Sequence, residues 1–294
     1  MKAALGYYVY RALSGLFSLL PEWAVRRIGQ AGGWIGSHLA RDRFRMAMRH
    51  QRRVQGPEAD VRRAARSVFV NYGRYWAETF WLHPRRLDSI LARTTIEGIQ
   101  HLHAARDSGR GVILALPHVG NWEVAGLRAA AEQARVLAVA EELGNERIVQ
   151  WFITMRNMMQ IDVVIARKGS RVTRELLERL KAGGVIALLC DRDLSGRGIP
   201  VTLFGEETTL PAGPISLAER TGAIVLPVGT YFERGAGHAF EVHPPLDLPP
   251  GDDPAERIRE GTQRLAEVVE RIVRRAPEQW HLIQPNWPSD RASS

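Results

Sequence analysis

The feature that most constrains the fold is a change of hydrophobic period near residue 110. Beyond it, short apolar runs rich in branched residues, at 112–116, 136–140, 163–166, 185–189 and 224–228, alternate with helix-like stretches at 122–133, 145–159, 171–182 and 213–221. Strands buried on both faces read as continuous apolar runs, so this alternation predicts an α/β fold with a central, mostly parallel sheet flanked by helices. Before residue 110 the period is helical. Val61, Ala65, Phe69, Tyr72, Trp76 and Phe80 recur at three- and four-residue steps, which puts them on one face of a helix closed by Pro84. A last helix, with Ile258, Leu265, Val268, Val269 and Ile272 on one side, packs back before a tail at 280–287, and the Pro-rich stretch 244–254 reads as a loop. Without repeats or low-complexity linkers, one domain over 1–294 is expected, with 1–53 as an N-terminal helical portion.

A chain of 294 residues with 45% hydrophobic content can bury a sizeable core. Cys190 stands alone and no Cys/His cluster has zinc spacing, so neither a disulfide framework nor a structural metal is expected. The formal charge is +8, and residues 1–63 hold twelve basic residues against four acidic ones, so the whole excess is N-terminal. Such a stretch suits nucleic-acid phosphates or an anionic membrane surface. What lies between the charges favours the membrane: Leu5, Tyr7, Tyr8, Val9, Tyr10, Leu13, Leu16, Phe17, Leu19 and Leu20 are large and mostly apolar. The run 3–20 is shorter than the roughly 20 apolar residues of a span, carries Arg11 near its middle and ends at Pro21. Its early charge is Lys2 alone, which does not suit a secretory signal. An amphipathic helix in the membrane interface, aided by the basic run 41–53, fits; so does a first helix packed on the domain, and both hold if one edge reaches lipid. Against nucleic acid, the basic segment carries no recognition motif, and Trp122, Trp151 and Trp280 form no basic stripe.

Chemistry is expected where the first buried strand ends, at Leu116-Pro117-His118-Val119-Gly120-Asn121-Trp122-Glu123. Ligands of α/β sheets bind at the carboxyl ends of strands. His118 and Glu123 are five residues apart, so a carboxylate at the helix start can accept a bond from one imidazole nitrogen and leave the other to take a proton from an attacking hydroxyl. The same residues also suit a plain strand end and a favourable helix dipole. Neither a Gly-x-Ser-x-Gly elbow nor a phosphate-binding loop competes for the site.

These residues carry a resemblance. His118 to Glu123 resembles the His-x4-Asp/Glu motif of the glycerolipid and lipid A acyltransferase superfamily, and the layout is similar to the lipid A biosynthesis acyltransferase family over almost the whole chain. Further similar segments are Cys190-Asp191-Arg192-Asp193-Leu194, Phe204-Gly205-Glu206, Leu210-Pro211-Ala212-Gly213-Pro214, Arg220-Thr221-Gly222-Ala223 and Trp280-His281-Leu282-Ile283-Gln284-Pro285. They most resemble the actinobacterial branch, the phosphatidylinositol mannoside acyltransferases, whose motif more often ends in Asp than in the Glu123 found here.

The resemblance implies an acyltransferase that moves a fatty acyl chain from acyl-coenzyme A to a mannose hydroxyl of a phosphatidylinositol mannoside, without cofactor or metal, at the cytoplasmic face of the membrane. His118 would be the general base, Glu123 its partner, and no acyl-enzyme would form; Cys190 reads as an inert core residue. Glu141 and Arg156 are expected to line the site, and backbone N–H groups or Arg156 would supply the oxyanion donors. Asp191, Arg192 and Asp193 follow another strand and should reach the same sheet edge, although a surface ion-pair network explains them as well. Glu206 would bind the acceptor sugar or brace a turn. Arg167 and Lys168 would hold coenzyme A phosphates or form a solvated basic turn. The alternatives are another glycolipid or lysophospholipid acceptor, a thioesterase that activates water, and a basic nucleic-acid-binding protein.

Overall fold

The computed structural model of the chain describes residues 12, 14–141, 145–166, 171–193 and 196–291. Most of the apolar run at 3–20 lies outside them, although residues 14–19 are helical. Three helices follow: α1 (Glu22–Leu39), α2 (Arg41–Gln55) and α3 (Val61–Trp81). The start of α3 is fixed by Asp60, whose side chain accepts from the Arg63 N–H, and its apolar face buries Ala65, Phe69 and Phe80 as the spacing predicts.

The antiparallel-type pairing of α1 with α3 depends on glycine. A Cβ at Gly33 would lie 2.0 Å from the Phe69 carbonyl oxygen, and one at Gly73 would lie 2.1 Å from the Gly29 carbonyl oxygen. The two backbones therefore touch where any side chain would hold them apart.

The sheet contains β1 (Thr94–Glu97), β2 (Val112–Leu116), β3 (Val136–Glu141), β4 (Asp162–Ala166), β5 (Val185–Leu189), β8 (Ile224–Phe232) and β9 (His238–Val242), in the order β1-β9-β8-β2-β5-β3-β4. All neighbours are parallel except β8 and β9. The five expected strands are present, in a mostly parallel sheet flanked by helices. Residue alternation along β2 shows how both faces are covered. Ile113 and Ala115 join a core formed with α8 (Val172–Lys181), α9 (Gly213–Thr221) and α10 (Pro254–Arg275), through Leu176, Leu180, Ile215 and Val269. Val112, Leu114 and Leu116 face the other way, against Leu102 of α5 (Ile99–Asp107) and Ala129 of α6 (Trp122–Ala131). The N-terminal helices close a third cluster, in which Phe80 and Trp81 meet Val124 and, on α7 (Glu146–Met158), Phe152.

Three features extend the sequence reading. The strand expected at 224–228 continues to Phe232 and turns back into β9; β1 adds an edge; and β6 (Ile199–Leu203) pairs with β7 (Glu206–Leu210) in a separate hairpin. That hairpin turns through Phe204 and Gly205, both at positive φ (53° and 77°), the twist that a two-residue connection requires.

The glycine contact yields a test by denaturant unfolding. Gly33→Ala is expected to lose about 1–3 kcal/mol through overpacking against α3. Gly32→Ala, whose Cβ meets nothing within 4 Å, should be neutral or stabilising, because alanine exceeds glycine in helix propensity by about 1 kcal/mol.

Candidate active site

The site grows out of strand register. β2 and β5 are parallel neighbours with Leu116 opposite Leu189, and the Cys190 N–H donates to the Leu116 carbonyl at 2.9 Å. His118 and Asp191 each lie two residues beyond those paired ends, so the sheet itself delivers them side by side. His118 Nδ1 lies 2.6 Å from Asp191 Oδ1, and the His118 backbone N–H donates to Oδ2 at 3.0 Å. Trp280 Nε1–H adds a third bond, to Oδ2 at 2.7 Å. Asp191 is fully buried. Burial alone would raise its pKa, but the His118 imidazole and these donors hold the carboxyl below the usual range, so it is an anion. With Nδ1–H committed to that anion, the imidazole's other nitrogen is left as an acceptor.

The loop that carries His118 is clamped on every side. Gly120 has φ 59°, and a Cβ there would lie 2.3 Å from the Thr230 carbonyl oxygen. Thr230 Oγ1 donates to the Val119 carbonyl, the His281 N–H donates to the His118 carbonyl, and His281 Nε2 bonds the Gly120 carbonyl at 3.0 Å. Burial lowers the His281 pKa to about 3, so its ring is neutral and Nε2–H is the donor.

Glu123 stands apart from this pair, which corrects the expected His118–Glu123 bond. Asn121 caps α6 by accepting from the Glu123 and Val124 N–H groups, and the first turn sends the Glu123 side chain inward, 2% exposed. There it meets Arg156 twice, at 2.9 Å from Nε and 2.5 Å from Nη2, with the Tyr75 hydroxyl 3.4 Å away. Burial opposes the Arg156 charge, but the Glu123 carboxylate outweighs it and raises the guanidinium pKa. Trp122, one residue earlier, meets the imidazole edge-on at 5.3 Å between ring centres.

His118, Arg156 and Arg192 line a cavity of about 470 Å³, walled on one side by Tyr72, Tyr75, Trp76, Trp122 and Phe152 and reached by Gln284 from the tail. This is the size of a small-molecule site. Trp122, Val139, Arg156, Leu188 and Leu189 also border a second, apolar recess of about 110 Å³ between the sheet and α6, lined by Leu114, Ala129, Ala138 and Ala187.

The remaining candidates divide. Glu141 ends β3, paired in register with Ala166, next to Val139 and Ala140 of the cavity lining. Asp193 is turned away from the cavity and accepts from the Gly196 and Gly198 N–H groups and the Thr209 hydroxyl, bracing the approach to the β6–β7 hairpin. Glu206 is likewise not in the lining: it binds Arg53 Nε at 2.6 Å and the Ser289 hydroxyl, tying β7 to α2 and the tail. Arg167 and Lys168 lie outside the described residues. Cys190 is buried, and burial together with Asp191 pushes its thiol pKa up, which disfavours a thiolate. Sequence reasoning missed the aromatic wall on α3 and the tail residues Trp280, His281 and Gln284; the wall was signalled by the Tyr72, Tyr75, Trp76 spacing.

Two buried neutral histidines set an acid limit. His281 is lowered to about 3 and His50 to about 4, each from 6.5 and chiefly by burial. Below pH 6.5 the unfolded chain takes up protons that the folded chain refuses, so this stability is complete above 6.5 and is lost as pH falls toward 4 and 3. Melting temperature is expected to drop between pH 6.5 and 4.5, as the unfolding free energy falls by up to about 1.4 kcal/mol per pH unit for each histidine. His50→Gln, which can still donate to the Gln284 carbonyl, should flatten that slope.

Comparison with known proteins identifies the family. The family model described as bacterial lipid A biosynthesis acyltransferase matches residues 2–289. The chain is 37% identical over 282 residues to a phosphatidylinositol mannoside acyltransferase of Mycobacterium tuberculosis (strain CDC 1551 / Oshkosh), covering 94% of this chain and 86% of that protein. It is 35% identical over 287 residues to the phosphatidylinositol mannoside acyltransferase of Mycolicibacterium smegmatis, covering 90% of this chain and 92% of that protein. A lipid A biosynthesis acyltransferase of Haemophilus influenzae is 25% identical over 194 residues, or 65% of this chain and 58% of that protein. The chain belongs to the bacterial lipid A biosynthesis acyltransferase family and is an acyltransferase.

Proposed function

We propose that this acyltransferase moves a fatty acyl chain from acyl-coenzyme A to a mannose hydroxyl of a phosphatidylinositol mannoside, with His118 as general base and Asp191 as its partner. The observation that carries the reading is His118 at the wall of a ligand-sized cavity with Nδ1 bound to a buried anion. Nε2 takes the proton of the sugar hydroxyl as its oxygen attacks the thioester carbonyl. Asp191 fixes the tautomer and stabilises the imidazolium without itself being protonated. When the tetrahedral intermediate collapses, the C–S bond breaks and the proton passes from His118 to the departing coenzyme A sulfur.

Arg156 supplies the positive charge that the oxyanion needs. Two of its nitrogens are engaged by Glu123, and Nη1 is the group left for the substrate. Glu123 therefore serves the reaction by holding Arg156, not by orienting His118. The apolar recess behind Trp122 suits the acyl chain, and the aromatic wall suits the faces of a sugar ring. Arg192 at the cavity suits a phosphate of either substrate.

Residues 1–53 form the membrane-associating portion of a single acyltransferase domain. Helix α1 turns Trp23, Ile28, Trp34, Ile35 and Leu39 outward, with Trp23 65% and Leu39 78% exposed, and Arg41, Arg43 and Arg45 follow on the surface. Among the described residues no helix is long and apolar enough to cross a membrane. Apolar anchors beside cations favour peripheral docking on the anionic cytoplasmic leaflet. Binding to anionic vesicles should weaken with added salt and fall further in Trp23→Ser/Trp34→Ser; equal binding to neutral and anionic vesicles at every salt concentration would overturn the electrostatic part.

The activity test uses purified protein, palmitoyl-coenzyme A and a panel of mannosylated phosphatidylinositols, with lipid products read by mass. His118→Ala is expected to lose about 10²–10⁴-fold in rate. Asp191→Asn should fall comparably, and the double variant should be scarcely worse than His118→Ala, because the pair acts as a unit. Glu123→Gln, which removes the charge opposite Arg156, should also be strongly impaired, but its loss should add to that of Asp191→Asn. Thermal melts must show each variant folded. Coenzyme A release that is indifferent to the acceptor would overturn acyl transfer in favour of hydrolysis, and a folded His118→Ala at wild-type rate would overturn the base assignment.

A further inference from the structure

A buried polar cluster lies behind the His118 loop that the mechanism above does not use. Its centre is Glu78 on α3, 3% exposed. Oε1 accepts from Arg74 Nε at 2.7 Å; Oε2 accepts from Asn121 Nδ2 at 2.9 Å and lies 2.9 Å from His238 Nε2 on β9. Arg74 reaches onward to the Glu233 and Gly237 carbonyls and stacks over Phe232 at 4.2 Å, so the same cluster grips the β8–β9 turn. Burial would raise the Glu78 pKa, yet its partners His238 and Arg74 bring it down to about 2, and the group is an anion at every working pH.

Asn121 is the consequential partner. It is fully buried and sits between His118 and Glu123 in the chain. An amide offers an acceptor at one end and donors at the other, and which end points where is decided by its neighbours. Glu78 is an acceptor-only anion, so it demands the NH₂ end. The oxygen is thereby left facing the Glu123 and Val124 N–H groups that it caps. The backbone donors and the anion ask for the same orientation, so Asn121 is held at both ends; replacing the Glu78 carboxylate by a neutral amide weakens the anchor at the NH₂ end and leaves the side chain held chiefly at its cap end.

We infer that Glu78 is a positioning residue for acyl transfer: through Asn121 it fixes the start of α6, and with it both the loop bearing His118 and the turn that aims Glu123 at Arg156. The placement makes helix α3 a support of the reacting groups. The kinetic part of this inference rests on the proposed acyl transfer, whereas the cap can be read without any substrate.

Three variants in the full-length protein test it: Glu78→Gln, Asn121→Ser and their combination. Serine still caps a helix but cannot bridge to Glu78. The first readout is amide hydrogen exchange in the segment 118–127, where Glu78→Gln should speed exchange at the start of α6 by at least tenfold while the strands at 112–116 and 185–189 stay protected. The second is steady-state acyl transfer from palmitoyl-coenzyme A, where Glu78→Gln should lower kcat by ten- to a hundredfold and move KM less than twofold. Asn121→Ser should lower kcat similarly, and the double variant should be no worse than the poorer single one, because both cut one link. A purely stabilising role for Glu78 would instead give wild-type kcat in the folded fraction, and a role independent of Asn121 would give multiplicative losses in the double variant; either result would overturn the inference. If Glu78→Gln does not fold, Asn121→Ser alone decides, since it leaves the Arg74, Glu78 and His238 contacts intact: unchanged kcat and exchange would overturn the link. If the wild type transfers no acyl chain to the mannosylated lipids, the proposed function fails, and exchange at α6 still decides whether Glu78 holds the cap.

Discussion

The structure turns on the burial of one carboxylate. Asp191 has no solvent exposure, and an anion in that position is tolerable only when donors replace the water it has lost. Its three contacts come from two distant parts of the chain: the ring and backbone of His118, and the Trp280 indole. Satisfying it therefore fixes the β2–β5 register, since a one-residue slip would move the pair apart by about 3.3 Å along the strands. It also draws the tail across the sheet edge, where the Gln279 carbonyl and the His281 N–H bond the Gly120 N–H and the His118 carbonyl. His118 is thus held by the requirement that a buried charge be solvated by protein.

The parts of this arrangement differ in how far local sequence could reveal them. Strands β2 to β5 were legible because strands covered on both faces are continuous apolar runs. Strands β1 and β9, side by side at one end of the sheet, were not: Thr94–Glu97 and His238–Val242 carry Glu97 and Glu241, and the β6–β7 hairpin alternates polar with apolar residues. His118 was legible from its place at a strand end, and Asp191 and Arg192 from theirs. The identity of the histidine's partner was not, because β2 and β5 are separated in sequence by β3 and β4, and no local pattern says that they pair. Nearness in sequence favoured Glu123 instead, yet the direction of a side chain in a first helical turn is set by its cap, here Asn121, and by the cation waiting for it. Asp193 and Glu206 were drawn toward the site by sequence alone, and the Gly196 and Gly198 amides and Arg53 show where such groups go when a loop or a distant helix needs them.

Charge balance explains why the pairing could not have been shuffled. Three buried carboxylates surround one short loop, and each has its own partner: Asp191 with His118, Glu123 with Arg156, and Glu78 with Arg74 and His238. Giving Glu123 to His118 would strand Arg156 as a nearly buried cation and leave Asp191 as an unpaired buried anion, each a large loss. The observed set leaves no such orphan among these groups. In the proposed reaction it would also divide the electrostatic tasks, with Asp191 placed to stabilise a developing imidazolium and the Arg156 guanidinium held charged by Glu123.

Helix α3 joins these tasks to the surface. One helix supplies Gly73 to the contact with α1, Tyr72, Tyr75 and Trp76 to the cavity wall, and Arg74 and Glu78 to the cluster behind the His118 loop. Docking α1 on lipid as proposed would set the height of α3 above the bilayer, because glycine contacts leave little slack for one helix to slide on the other. The aromatic wall of the cavity would then stand at a fixed depth relative to the headgroups, and a lipid acceptor anchored by its own chains would meet His118 from one direction only. On the proposed reading, the N-terminal helices would then do more than recruit the enzyme to its substrate: they would fix the geometry in which a sugar hydroxyl and an acyl thioester, both carried on membrane-seeking molecules, would reach the same imidazole.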